Sequence, residues 1–422
     1  MPYALRLSTA TLATILLPLM TRTLPGQTSI EVPACEFAQQ IAVVLPGTAD
    51  LALGGGWQLV EAGGAELTVP AQITVAVHAN GTPNPAGRRL LASIPPGVPE
   101  RKTRTFRLRK ADDSTATHGV FRFTHAKDVS LQLTEHDRNV LAYNYGTITE
   151  PGVPEGDMRR ARGCYVHPVW GMSGEVLTAD FPKDHYHHRG IFWAWPYVKV
   201  GADVYDLWVY SNIQQRFVRW LHQETGPVAA VVGVENGWFA GEKQVATERV
   251  WIVAYRSEPD CRSIDLTVAV EARGEPVTLQ GREEKSYGGL TARFDVWPRT
   301  DAQVRVPGRT LENTGSGTAS EQDLLNAPLP WADLASQFPQ GPRRSGAAVF
   351  IHPHHPDYPP TWLTRTYGVL CVGWPGIKPH TIEIDKFLSL DYRMWIHESE
   401  LAPEQIDRRY QSYSAAITCR DK

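Results

Sequence analysis

The sequence predicts an all-β protein, an antiparallel β-sandwich with a small N-terminal β unit and a C-terminal helix. Three observations carry this. Short segments that alternate apolar and polar residues recur along the chain, as half-buried strands do. Glycine (35) and proline (32) are frequent enough to punctuate them with turns. Only residues 403–417 show a helical stripe, with Ile406, Tyr410, Tyr413 and Ile417 on one face and Pro403 and Glu404 suited to a first turn.

At 422 residues the chain is longer than one core usually supports, so more than one unit is expected. Hydrophobic content of 42% and charged content of 21% are those of a globular chain, which excludes global disorder. A net charge of -3 with no long basic run leaves no electrostatic footprint for nucleic acid, so no nucleic-acid partner is expected. No segment reaches transmembrane length without charge, so no integral membrane segment is expected. Residues 1–26 read as a signal peptide, with Arg6 before an apolar run at 12–20 and Leu24-Pro25-Gly26 before cleavage. The expectation is an exported protein, periplasmic or extracellular. Five cysteines (Cys35, Cys164, Cys261, Cys371 and Cys419) are widely spaced and form no CxxC, which argues against a zinc site. Export would permit disulfides, such as Cys35 with Cys419 or Cys164 with Cys371, and the odd count leaves one thiol over.

In order, residues 30–97 are expected to form the small β domain. A strand at 40–45 ends at Pro46-Gly47, the segment 66–77 alternates, and Gly54-Gly55-Gly56 and 80–87 break the pattern. The proline-rich segment 94–99 reads as a linker. Residues 100–422 then form the main sandwich, with strands at 105–109, 120–124, 129–133, 139–145, 165–170, 217–221, 229–239, 245–254, 263–272, 277–279 and 290–296. Residues 308–322 are polar and turn-rich, an exposed loop. Strands at 347–352, 367–372, 381–384 and 388–397 and the helix complete the chain, with no βαβ alternation and no fixed repeat.

Chemistry concentrates in Asp184-His185-Tyr186-His187-His188-Arg189-Gly190, which runs into Ile191-Phe192-Trp193-Ala194-Trp195. So dense a polar group is costly to bury unless it is used. A second cluster, His352-Pro353-His354-His355-Pro356, follows downstream, and the fold is expected to bring the two together. Imidazoles exchange protons near neutral pH, so the catalytic candidates are His187 first, then His188 and His185, with Asp184 or Glu283 as the paired or orienting carboxylate. On a strand, His185 and His187 would share one side and His188 would face away. Arg189 and Arg293 are fixed cations suited to binding a carboxylate or oxyanion. Trp195, Trp208 and Trp362 offer flat faces for a sugar ring, and His352 joins them as a binding candidate. For Trp193 and Trp195 core packing is the competing reading.

These residues also carry a resemblance. The segment from His167-Pro168 through Gly174 and Asp180 to Asp184-His185-Tyr186-His187-His188-Arg189-Gly190 resembles the D-H-x-H-H-R-G signature of the family known as "methane oxygenase PmoA"-like proteins. Tyr205-Asp206-Leu207-Trp208 is similar too, and Gly288-Gly289-Leu290-Thr291-Ala292-Arg293 is similar to its G-G-L-x-x-R. The stretch from His352-Pro353 through Pro360-Thr361-Trp362 to Tyr367-Gly368 resembles its H-P-x-x-P…P-T-x-W…Y-G, with Trp362 following Thr361 directly. The resemblance spans residues 100–400 or so. It implies an exported protein of carbohydrate-degrading bacteria with a β-sandwich resembling sugar mutarotases. The family's label is not carried over as an activity, because a β-patterned chain without an apolar span is not a helical membrane subunit.

The favoured expectation is therefore a carbohydrate-active enzyme of epimerase, lyase or hydrolase type. It would act on a small-molecule or glycan substrate by histidine acid–base chemistry, with no cofactor required. A second reading is a metal-dependent oxygenase or hydrolase holding a divalent metal on His185, His187 and His352. A third is a non-catalytic glycan-binding module.

Overall fold

Alternation becomes sheet where it is strongest. In the strand Cys261–Ala272 the residues Ile264, Leu266, Val268 and Val270 all point inward and are buried. This strand pairs with Lys243–Tyr255 on one side and Phe387–Glu398 on the other. All three lie inside a nine-stranded antiparallel sheet that runs from Gln214–Thr225 at one edge to Arg309–Glu312 at the other. A second nine-stranded sheet runs from Leu325–Pro328 to Phe121–Ala126 and has Gly289–Arg293, Ile191–Ala194 and Tyr165–Val169 near its centre. Side chains of both sheets, including Leu141, Phe192 and Leu290 from one and Val268 and Met394 from the other, share one core. The chain is an all-β sandwich, as the alternation predicts.

This computed structural model describes residues 28–45, 47–63, 67–97, 103–111, 119–312 and 323–417, with the backbone of 420–421. The segment read as a signal peptide, Cys419, the end of the proline-rich linker and most of the 308–322 loop lie outside them.

A seven-stranded sheet precedes the sandwich in the chain and has its own core, built from residues such as Ile41, Leu59, Ile73, Leu90 and Phe106. It extends past residue 97, because Thr103–Lys110 pairs with both Ser29–Pro33 and Gly54–Glu61. Arg420–Asp421 returns to its edge, beside Ser29–Pro33. The glycines at 54–56 do not make a turn; they open the strand Gly54–Glu61 at an irregularity in its pairing with Thr68–Val77. The helix Pro403–Ala416 forms as expected. Its N-terminal Ala402 N–H is satisfied by Gln405 Oε1 at 2.8 Å. Its Ile406, Tyr410 and Tyr413 pack on Trp331, Phe350 and Trp395.

Among the described residues no helix is long and apolar enough to cross a membrane. Cys35, Cys164, Cys261 and Cys371 are free thiols. The pairing of Cys164 with Cys371 is not made, for a geometric reason. Cys371 lies in Val369–Gly373 and Cys164 adjoins Tyr165–Val169, and two strands of the same sheet separate them. Neighbouring strands are about 4.8 Å apart, so the gap exceeds what a disulfide spans.

Candidate functional site

The histidine-rich stretch is a loop, not a strand. The strands Tyr165–Val169 and Ile191–Ala194 meet at Val166 and Ile191, and between them the chain touches the sheet at Thr178, which bridges Phe294, before it leaves as the loop. It makes two successive turns, with the His185 N–H donating to the Pro182 carbonyl and the His188 N–H to the His185 carbonyl, both at 2.9 Å. The strand geometry expected for the three histidines therefore does not hold. Residues three apart in a turn come together, so His185 and His188 stack with ring centroids 4.7 Å apart and planes 4° from parallel. His187 stands edge-on to His188, with centroids 4.5 Å apart and an angle of 77°. All three rings line one cavity of about 490 Å³.

Gly190 lets the loop rejoin the sheet. A Cβ there would lie 2.3 Å from the Val166 carbonyl oxygen. The Gly190 carbonyl in turn accepts from the Arg293 N–H at 2.7 Å, which fixes the loop's end against Gly289–Arg293.

Arg293 is fully buried, and its Nη2 donates to both oxygens of Asp184 at 2.9 and 2.8 Å. His185 Nδ1 meets the same carboxylate at 2.9 Å. Burial pushes the Asp184 carboxyl up, but the His185 hydrogen bond and the Arg293 charge outweigh it and hold the group below the usual carboxylate range. An ionised carboxylate only accepts, so His185 donates from Nδ1, and the neutral tautomer this selects has its lone pair on Nε2. The other face of His185 is covered by Tyr367, stacked at 5.5 Å and 6°. The Arg293 guanidinium lies over the same Tyr367 ring at 5.2 Å. Tyr367 sits in the turn between Thr361–Arg365 and Val369–Gly373, and Gly368 makes that turn at a φ of 115°.

His187 and His188 are held neutral. Burial is the main cause for both, and the neighbouring histidines and arginines add to it. His187 is pushed down to about 3. The Nδ1 atoms of both rings are buried without a partner, a costly arrangement that a fold rarely keeps without use. Trp208 and Tyr287, 4.9 Å apart, form an aromatic wall, and Lys285, Arg365 and Tyr367 complete the polar part of the lining.

Several expected site residues fall elsewhere. Arg189 is buried under the loop, 3.6 Å from Asp180 and with its guanidinium 3.3 Å over the Phe181 ring, and it does not reach the cavity. Burial pushes it down to about 10. Trp195 and Trp362 are core residues, as apolar area dictates, and their indole N–H groups donate to the carbonyls of Trp374 and Leu329. Of the tryptophans named as binding candidates, only Trp208 lines the cavity. Glu283 is exposed and accepts from the Tyr197 hydroxyl at 2.7 Å, outside the lining.

The two histidine clusters are not brought together. His352 follows Ser345–Ile351, which belongs to the other large sheet and pairs with Phe387–Glu398. It lines a separate cavity of about 310 Å³ with Asp391, Arg393 and Tyr413. The ligand set His185, His187 and His352 therefore does not converge. His185 Nδ1 is taken by Asp184, and His188 cannot stand in for the missing ligand, because its ring stacks on His185 and their in-plane lone pairs do not meet at one ion. Among the described residues no group of three or more His, Cys, Asp or Glu is arranged to hold a metal.

Sequence reasoning missed Lys285, Tyr287, Arg365 and Tyr367 as site residues. Only Tyr367 carried a signal, since Tyr367-Gly368 marks the hairpin turn that presents it.

Residues 130–411 match the model of a family of unknown function, DUF6807. The chain belongs to that family. The matched span contains every residue that lines the cavity and leaves out the seven-stranded sheet. No curated protein matches the chain.

Proposed function

We propose that this protein is a carbohydrate-active enzyme in which His185, oriented by Asp184, takes a proton from a sugar held in the cavity. The observation that carries this reading is the chain of contacts from buried Arg293 through Asp184 to His185 on the wall of a cavity large enough for a small sugar. Asp184 fixes the imidazole tautomer and would stabilise the imidazolium formed on protonation. The His185 side chain is 36% exposed, so its Nε2 is open to a ligand, whereas His187 is too strongly held neutral to serve as a base near pH 7. The roles of His187 and His188 are then hydrogen bonding through Nε2, since the Nδ1 of each ring is buried. Trp208 and Tyr287 would pack against the C–H face of a sugar. Acid–base chemistry of this kind suits an epimerase or lyase step. The D-H-x-H-H-R-G resemblance and the apolar N-terminal segment support an exported location, which fractionation of the producing cells would test.

The test is incubation of the purified protein in D₂O with a panel of sugars, keto-sugars and uronates. Deuterium uptake or elimination product is expected with at least one compound and is expected to vanish in His185→Gln. No chemical change with any compound, or a full rate in His185→Gln, would refute the reading.

A further inference from the structure

The cavity lining contains two cationic side chains, Lys285 and Arg365, and no carboxylate. Arg365 is the informative one. It ends the strand Thr361–Arg365 and is only 7% exposed. Its one hydrogen bond runs from Nη1 to the Thr364 carbonyl at 3.0 Å, and it forms no ion pair among the described residues. Its Nε and Nη2 are neither bonded nor sealed from solvent, and the residue lines the cavity.

Other deeply buried guanidinia in this chain are matched by acids. Arg262 meets Glu135 at 2.7 Å, Arg393 meets Asp265 at 2.6 Å and Arg293 meets Asp184 at 2.8 Å. Arg162 lacks a carboxylate but donates to the Trp208 carbonyl and the Gln215 side chain and lies over the Tyr210 ring. Arg365 alone among these lines the cavity and keeps fork donors free. A charge so little exposed is costly to keep without a counter-ion.

We infer that the ligand of this cavity supplies the missing acid, so that the substrate is a sugar bearing a carboxylate, bound to Arg365 with Lys285 as a second, exposed cation. This rests on the reading above only in taking the ligand to be a sugar. Planar fork geometry suits a carboxylate. A phosphate would also suit a cation pair, but the cavity offers no helix N-terminus, since the chain's one α-helix among the described residues is Pro403–Ala416 and contributes nothing to the lining.

Calorimetric titration with a hexuronate, its neutral parent hexose and the matching hexose phosphate tests this. The uronate is expected to bind at least about tenfold more tightly than the hexose, the difference one charge-assisted hydrogen bond supplies. Arg365→Gln should remove the preference for uronate over hexose, and Arg365→Lys should restore part of it. Should Arg365→Gln unfold the protein, Lys285→Gln, at an exposed position, should still reduce the preference for uronate over hexose by about threefold. Equal binding of uronate and hexose, tighter binding of the phosphate, or no binding of any of the three would overturn the inference. Uronate binding without turnover would uphold it and refute the catalytic reading, whereas turnover of a neutral sugar without uronate binding would do the reverse.

Discussion

Replacing Asp184 by asparagine tests the part of the site on which its chemistry depends. The change keeps the side-chain shape and one acceptor oxygen but removes the charge that faces Arg293. Arg293 is fully buried, and the Asp184 side chain is 12% exposed, so solvent does little to replace the lost partner. Removing one member of a buried pair costs about 3–5 kcal/mol, and the retained acceptor places this case near 3 kcal/mol. For a domain of this size that corresponds to a fall in Tm of roughly 5 °C. Because the Asp184 carboxyl lies below its ordinary range in the folded state, its contribution is complete above the unfolded value of about 3.9. It is lost only as pH falls through the folded value, so the deficit of the variant should stay constant at neutral pH and narrow in strong acid.

The assay is thermal unfolding of Asp184→Asn, Arg293→Met and the double variant. The double variant should be less destabilised than the sum of the single ones by more than about 1 kcal/mol, because it no longer leaves a lone buried guanidinium. A Tm for Asp184→Asn within about 1 °C of the parent, or strict additivity in the cycle, would refute the ion pair as the support of His185.

Three further outcomes are expected. Gly190→Ala should destabilise the fold by several kcal/mol, since its Cβ would meet the Val166 carbonyl at 2.3 Å, and denaturant unfolding reads this directly. His187 and His355 are pushed down to about 3 and about 4 by burial, so the unfolded state binds more protons below about 6.5. Stability should be complete above that pH and fall below it by about 1.4 kcal/mol per pH unit for each ring, and His187→Gln should make the slope shallower by that amount. Cys164, Cys261 and Cys371 are buried, and burial pushes their thiols up, so a thiol reagent followed by mass spectrometry should find all three unmodified until denaturant is added.

Much of the sandwich was legible in the sequence because alternation reports burial directly. The near-perfect pattern at 263–272 became the centre of a sheet, and the stripe at 403–417 became the helix. The strands Pro83–Ile94 and Thr361–Arg365 were not read, since prolines and glycines in or beside them look like turns. The site was legible as a place more than as a geometry. Asp184 and the three histidines announce themselves by density, but whether they share a face depends on turn or strand backbone, and Pro182, which accepts the first turn bond, was the only local hint. Arg365 and Lys285 come from separate parts of the chain and enter the cavity through tertiary packing, which no local pattern encodes. His352 misled for the complementary reason: its composition matches the first cluster, yet its strand belongs to the opposite sheet.

Arg189 shows how such a loop is kept in place. It was expected to bind substrate, and it binds the loop instead. Its Nη1 donates to the carbonyls of Tyr186 and His188, each at 2.6 Å, and its Nη2 to that of Arg159 at 2.8 Å. Turn residues outside a sheet ladder have few backbone partners of their own, and one buried guanidinium supplies two of these acceptors with donors and ties them to the neighbouring segment at Arg159. Arg189→Lys keeps the charge but cannot span three carbonyls with one ammonium. The loop should therefore open more often while the sheets, whose ladders do not involve this side chain, stay closed. Native-state hydrogen exchange distinguishes the two: the bonded amides of His185 and His188 should exchange at least about tenfold faster in Arg189→Lys, with those of Cys261–Ala272 unchanged. Unchanged protection at 185 and 188 would mean that packing against Phe181, and not the hydrogen bonds, holds the histidines over the cavity.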